Sequence, residues 1–204
     1  MQRLIPSPFY MALMCLLLGG MVGCAGPTGG QKIYQQGMDE ANAGNLEEAV
    51  GTLQKGVSTF PGNMDMRLGL ARLQFERGMI HHERELNLRR TGAALLETDR
   101  RAEGTAANRA ASQAHQQAVP LFTSCEEQID EVVSSSDDPK QVAWASSLGM
   151  RVCLFFERYA EAYEHISRAI HEGKPTGKLL TKWRNFQASI KEKVAGHTDD
   201  DDYR

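Results

Sequence analysis

Two thiols, Cys125 and Cys153, and the pair His81 and His82 followed by Glu85 are the side chains whose types suit covalent or metal chemistry. The midpoint of the two cysteines falls in the Ser134 to Pro139 loop, so a helical hairpin folded there would bring them to similar heights. A disulfide also requires Cα atoms within about 7 Å; two buried free thiols are the competing arrangement. No close Cys or His pair accompanies them, which argues against zinc. Successive residues on a helix point about 100° apart, so His81 and His82 do not readily face one ion and read as surface histidines. His115, His165, His171 and His197 share no ligand spacing. Beyond residue 23 there is no nucleophile elbow, phosphate-binding glycine loop or zinc-protease motif, and no carboxylate pair stands out for acid and base work. The expectation is a non-enzymatic protein with no cofactor and no metal.

The N-terminus instead carries an address. Arg3 precedes an apolar stretch from Phe9 to Leu18, and small residues then lead to a cysteine, the layout of an export signal. The sequence Met21, Val22, Gly23, Cys24 resembles a bacterial lipobox, with Met21 in place of the usual Leu. That resemblance implies that residues 1–23 are removed and that Cys24 becomes the lipidated first residue. Several acyl chains on one residue hold far more firmly than one, since each buried CH2 contributes roughly 0.8 kcal/mol. Residues 24–30, rich in Gly with Pro and Thr, suit a flexible tether. The absence of Asp after Cys24 implies, by the same resemblance, the outer membrane and a domain facing the periplasm; an inner-membrane anchor is the alternative. An oxidising periplasm would permit Cys125 and Cys153 to pair.

A formal charge of −3 gives no reason to expect nucleic acid as a partner. From Gln31 the chain is rich in Ala, Leu, Glu, Gln and Arg, and no sustained alternation suggests strands, so residues 31–195 are expected to form one all-α domain. The spacing predicts helices over about 31–43, 46–59, 63–78, 80–117, 119–135, 140–157, 159–173 and 177–195. Gly44 with Asn45, Pro61 with Gly62, and Ser134 through Pro139 supply the clearest turns.

The run from Ala43 to Pro61, AGNLEEAVGTLQKGVSTFP, resembles the second half of a tetratricopeptide repeat. Gly44 and Asn45 match the interhelical turn, Ala49 and Gly56 the small contact positions, Leu53 the large one between them, and Pro61 the terminator. Upstream, Ile33 and Gly37 fit the first helix. Leu70, Ala71 and Phe75 begin a second unit, with Gly78 in the turn position, 34 residues after Gly44. Tyr159, Glu161, Ala162, Ile166, Ala169 and Pro175 resemble a third, preceded by Met150, Cys153 and Leu154 on an apolar face. The resemblance implies stacked antiparallel helix pairs, a tetratricopeptide-like solenoid whose groove binds peptides or partner helices. Exposed polar residues on the first helices, Gln35, Glu40, Arg67 and Arg72, are then the candidate groove positions, and Leu53, Leu70 and Phe75 the candidate core.

Between Met79 and Ala118 the repeat pattern lapses into a long inserted helix with an alanine stripe at 102, 106, 110, 114 and 118, which Gly92 and Gly104 are expected to kink or divide. Leu179, Leu180, Trp183, Phe186 and Ile190 mark a C-terminal capping helix. Trp144 and Trp183 both fit buried stripes. Between Glu172 and Lys193 six basic residues face two acidic ones, a surface for an acidic partner or anionic lipid. Residues 196–204, with Asp199 to Asp202, read as an acidic tail that folds back or stays disordered. The function expected is a membrane-anchored interaction scaffold in the bacterial envelope, serving a secretion, pilus or outer-membrane complex through contacts with envelope proteins or peptides. The alternative is a cell-wall or polysaccharide-associated accessory. Oligomeric state is open.

Overall fold

A computed structural model describes residues 29–201, with side chains to residue 196. Cys24, the run read as an export signal and most of the expected tether lie outside the described residues. The described chain is all helical: α1 (Gly29–Asn42), α2 (Leu46–Thr59), α3 (Met64–Glu97), α4 (Arg101–Ser135), α5 (Pro139–Phe155), α6 (Tyr159–Gly173) and α7 (Gly177–Asp201). Helices α1 and α2, α3 and α4, and α5 and α6 form three antiparallel hairpins stacked in chain order, and α7 closes the stack against α6.

Local chemistry sets most of the boundaries. Gly44 takes φ +87°, a conformation that would strain a side chain, and so turns α1 into α2. Asn63 caps α3 by accepting from the Met66 N–H at 3.0 Å, and Asp138 caps α5 by accepting from Lys140 N–H at 2.9 Å, with Pro139 at the first helical position. Lys174 ends α6 in the left-handed region just before Pro175.

The middle hairpin departs from the sequence expectation. No turn occurs at Gly78: α3 runs on to Glu97, and the chain reverses at Thr98 to Arg100, with Asp99 at φ +60°. Gly78 is buried within α3 because the Phe122 ring lies against it; a Cβ there would sit 2.9 Å from the ring. Helix α4 likewise passes through Pro120. A proline inside a helix loses a hydrogen bond and costs about 3 kcal/mol, but Pro120 faces solvent while Ala118 and Phe122 beside it are fully buried, and that packing holds the helix together. The inserted helix is therefore replaced by two long helices of one hairpin.

Gly92 and Gly104 do not divide their helices. They face each other across the hairpin: a Cβ on Gly104 would lie 3.1 Å from the Gly92 carbonyl oxygen, and one on Gly92 would lie 3.2 Å from that of Gly104. The alanine stripe is also corrected. Ala102 and Ala106 are exposed, and the buried seam of α4 is Ala111, Ala114, Ala118, Phe122, Cys125, Ile129 and Val132. A strict step of four drifts around the helix, whereas alternating steps of three and four stay on one face.

Three apolar clusters run along the stack. The first joins Ala49, Val50, Leu53, Met66, Leu70 and Leu73 between α1, α2 and the start of α3. The second centres on Phe75, Phe122, Ile129, Leu148 and Val152 where α3, α4 and α5 meet. The third holds Met150, Cys153, Ala162, Ile166 and Ile190 between α5, α6 and α7. The expected core positions Leu53, Leu70 and Phe75 are all buried. Between residues 83 and 114 only Glu85, Gly92, Gly104, Ala111 and Ala114 are buried, so the far end of the long hairpin is a solvated arm.

Two further boundaries differ. α1 begins at Gly29, and Gly30 is buried against Asn63, Met66 and Phe60, so the last two tether residues belong to the folded domain. α7 continues through Asp201, so the backbone from residue 196 to 201 is helical and does not fold back on α7.

Candidate functional site

Helices α3, α5 and α7 enclose an open cleft of about 570 Å³. Phe75, Met79 and His82 come from α3 at helical spacing and so share one face. Met150, Leu154 and Phe155 enter from α5, and Trp183 and Phe186 from α7. The basic residues Arg151 and Lys182 stand at its edges. The Arg151 guanidinium lies 4.4 Å from the Phe75 ring centroid and the Lys182 ammonium 5.9 Å from that of Phe186, cation–π contacts that hold positive charge over an aromatic wall.

The three helices that wall the cleft also expose further apolar side chains. Phe186 is 40% exposed, Leu179 on the same helix 48%, Trp144 on α5 40% and Leu86, one step beyond His82 on the α3 face, 39%. Trp144 thus departs from the buried position expected of it, because the buried stripe of α5 runs through Ala145, Leu148 and Val152 instead. Trp183 is only half-buried, near Gly173, rather than fully within a buried stripe.

At one end of the cleft the fold assembles a polar cluster that spacing alone does not reveal. Glu85 is buried, and its Oε2 lies 3.0 Å from His115 Nδ1 and 3.5 Å from His82 Nδ1 while Arg89 donates to Oε1 at 2.8 Å. Burial pushes the Glu85 carboxyl up, but the hydrogen bonds from Arg89, His115 and His82 outweigh it and hold the group below its ordinary value. Phe155 of α5 packs against both imidazoles, edge-on to His82 at 5.0 Å and stacked with His115 at 5.7 Å. His82 is therefore not a free surface histidine: with His115 it pins the root of the arm to the body.

A second node joins α4 to α6. Arg158 bridges Glu126 and Glu161, the latter at 2.9 Å, and the Cys153 thiol lies beside both carboxylates. Glu126, Cys153 and Glu161 are close enough to hold a metal ion, yet the Arg158 guanidinium already pairs with both carboxylates, and burial pushes the thiol up to about 12. The arrangement fits an ion-pair tie better than a metal centre.

Cys125 and Cys153 are both buried free thiols. They face different clusters, Cys125 the one around Phe122 and Cys153 the one around Ile166, which separates the sulfurs even though the helices are neighbours. The bridge held open from sequence is not formed. Burial also raises Cys125 to about 12, so neither thiol forms appreciable thiolate at neutral pH. A thiol reagent should leave both unlabelled in the folded protein and modify both in urea without reductant; peptide mapping that finds neither modified after unfolding would restore the disulfide.

The candidate groove residues make mostly local contacts. Gln35 donates to Asp39 and Gln36 to Glu40, each at 2.8 Å along α1. Arg72 pairs with Glu76 at 2.8 Å, and Arg67 donates to the Pro61 carbonyl and to Gln128 of α4, both at 2.9 Å. These residues stabilise their own helices or the hairpin, and none lines the cleft.

His165 of α6 supplies a pH signature. Its ring lies under Gly149 of α5, where a Cβ would come within 2.7 Å, and its Nδ1 is buried without a partner. Burial, assisted by Arg168, holds its pKa below 6.5, against the opposing pull of Asp130, Glu126 and Glu161. The folded state thus binds the proton less readily than the unfolded chain. Its full stability is present above 6.5 and is lost as pH falls from there towards the folded value. The urea midpoint is expected to drop between neutral pH and mild acid and to do so less in His165→Leu; equal slopes would remove His165 as the cause.

Fold and cleft together define an all-α protein of stacked helical hairpins with an apolar, basic-edged cleft. No protein-family model, no curated protein and no solved structure matches the chain.

Proposed function

We propose that this protein is a non-catalytic, membrane-anchored interaction scaffold of the bacterial envelope, supporting assembly or operation of a secretion, pilus or outer-membrane complex. The observation that carries the reading is the cleft: Phe75, Met79, Met150, Leu154, Trp183 and the exposed Phe186 line one concavity between three helices. Contiguous exposed apolar surface with a polar edge is how proteins present a docking site. The lipobox-like run ending at Cys24 supports the address, an outer-membrane anchor facing the periplasm, and the tetratricopeptide-like run from Ala43 to Pro61 supports the role. Among the described residues no helix is long and apolar enough to cross a membrane. The attachment proposed is through lipid at Cys24, and mass spectrometry of the mature N-terminus tests it.

The functional test is a photo-crosslinking amino acid placed at position 186 in intact cells, with position 54 on the exposed face of α2 as control. Envelope proteins captured at 186 and not at 54 are the expected result; equal capture at both would sink the reading. A second reading, a cell-wall or polysaccharide accessory, draws on the exposed Trp144 indole, which can stack on a sugar face. Co-sedimentation with purified peptidoglycan that is lost in Trp144→Ala would favour it.

A further inference from the structure

We propose that the cleft between α3, α5 and α7 receives an acidic amphipathic helix of a partner protein. This inference rests on the reading of the cleft as a docking site and adds the chemistry of its occupant. Charge complementarity is the first argument. α5 carries two basic residues, Lys140 and Arg151, and no acidic one. α7 carries Lys178, Lys182, Arg184, Lys191 and Lys193 up to Gly196, against Glu192 alone. This concentration of positive charge belongs to a chain whose formal net charge is −3. Arg151 and Lys182 have no carboxylate partner among the described residues; each rests on an aromatic ring instead. The nearby Glu85 is buried and already engaged by Arg89, His82 and His115, so it does not oppose an incoming carboxylate.

Shape is the second argument. On α3 the apolar face runs from Phe75 through Met79 and His82 to Leu86, about 16 Å at 1.5 Å per residue. Leu179 to Phe186 on α7 adds a parallel run of about 10 Å on the opposite wall. The α3 run matches about three turns of a helix. Side chains at i, i+3 or i+4 and i+7 of such a helix would bury between Met79, Trp183 and Phe186, and carboxylates flanking that stripe would reach Arg151 and Lys182. Pairing at this edge would act mainly on specificity and association rate, while the buried apolar anchors would set the dissociation rate.

The experiment titrates fluorescent synthetic helices of about four turns into the full-length protein in detergent, read by anisotropy. One peptide has a leucine stripe flanked by glutamates, a second has lysines in place of the glutamates, and a third has the acidic composition scrambled. The acidic helix is expected to bind at least tenfold more tightly than the other two, and more weakly as salt rises. The double variant Arg151→Glu with Lys182→Glu should lose at least tenfold for the acidic helix and gain for the lysine helix, with an unchanged urea midpoint showing that it still folds. Phe186→Ser should weaken the acidic helix without reversing the charge preference. Equal binding of acidic and basic helices, no change in the double variant, or binding only to phosphatidylglycerol vesicles would each overturn the proposal. Crosslinked envelope partners at position 186 together with no acidic preference would leave the scaffold reading standing and remove this one. Acidic preference with no partner in cells would do the reverse.

Discussion

Phe122→Ala is expected to destabilise the protein by about 3–5 kcal/mol, the usual cost of emptying a buried aromatic site. Phe122 is fully buried at the junction of α3, α4 and α5. Its ring sits 4.2 Å from Phe155 and 5.5 Å, edge-on, from Phe75. It also lies directly on Gly78, so the ring and the missing side chain fit as a pair. That pairing predicts a reversal of sign. Gly78→Ala in the parent pushes a methyl to 2.9 Å from a ring that cannot swing aside, and overpacking of this kind costs about 1–3 kcal/mol. In the Phe122→Ala background the clash is gone, and alanine should then stabilise α3 by up to about 1 kcal/mol through its helix propensity. A double-mutant cycle from urea unfolding reads both effects. Additive losses would show that Gly78 and Phe122 do not touch.

The second large effect lies in the first hairpin. Leu53→Ala should cost about 2–5 kcal/mol, because Leu53 is fully buried and nothing nearby is free to fill its place. Leu53 fits between two glycines on different helices: a Cβ on Gly37 of α1 would lie 2.6 Å from it, and one on Gly69 of α3 would lie 3.2 Å away. This one side chain therefore locks α2 against both α1 and α3. The check is the chemical-denaturation midpoint at unchanged slope. A loss of a few tenths of a kcal/mol would mean that these three helices do not pack in this register.

The contrast between these two residues shows where sequence reasoning succeeds. Leu53 stands in a run whose small and large residues alternate at helical spacing between clear turn signals, and such local chemistry places α1, α2, α5 and α6 to within two residues or so. Phe122 gave no comparable signal. It stands two residues after a proline, and its partner Gly78 looks like a turn residue, since glycine serves both in turns and in close helix contacts. Only the position of the ring across the hairpin tells the two uses apart. Gly92 and Gly104 mislead for the same reason, reading as breaks when they are contact points between long helices.

The functional surface divides in the same way. His82 and Glu85 are near neighbours in sequence, but His115 comes 30 residues later than Glu85 and joins them only because α3 and α4 run antiparallel along their whole length. The cleft draws on residues from 75 to 186, a span that periodicity cannot connect. Gln35, Glu40, Arg67 and Arg72 are groove candidates by exposure and polarity, and the hydrogen bonds found for them run within their own helices or across the hairpin.

By itself the amino-acid sequence determined the helical class, the turn at Gly44, the connections between hairpins at Pro61 and Pro139, and the core role of Leu53, Leu70 and Phe75, because each depends on residues within a few turns of one another. Tertiary structure alone decided the length of the middle hairpin, the separation of the two thiols, the Glu85 cluster and the walls of the cleft. Those depend on which faces of distant helices meet, and the free energy of that choice is spread over contacts that no local pattern encodes.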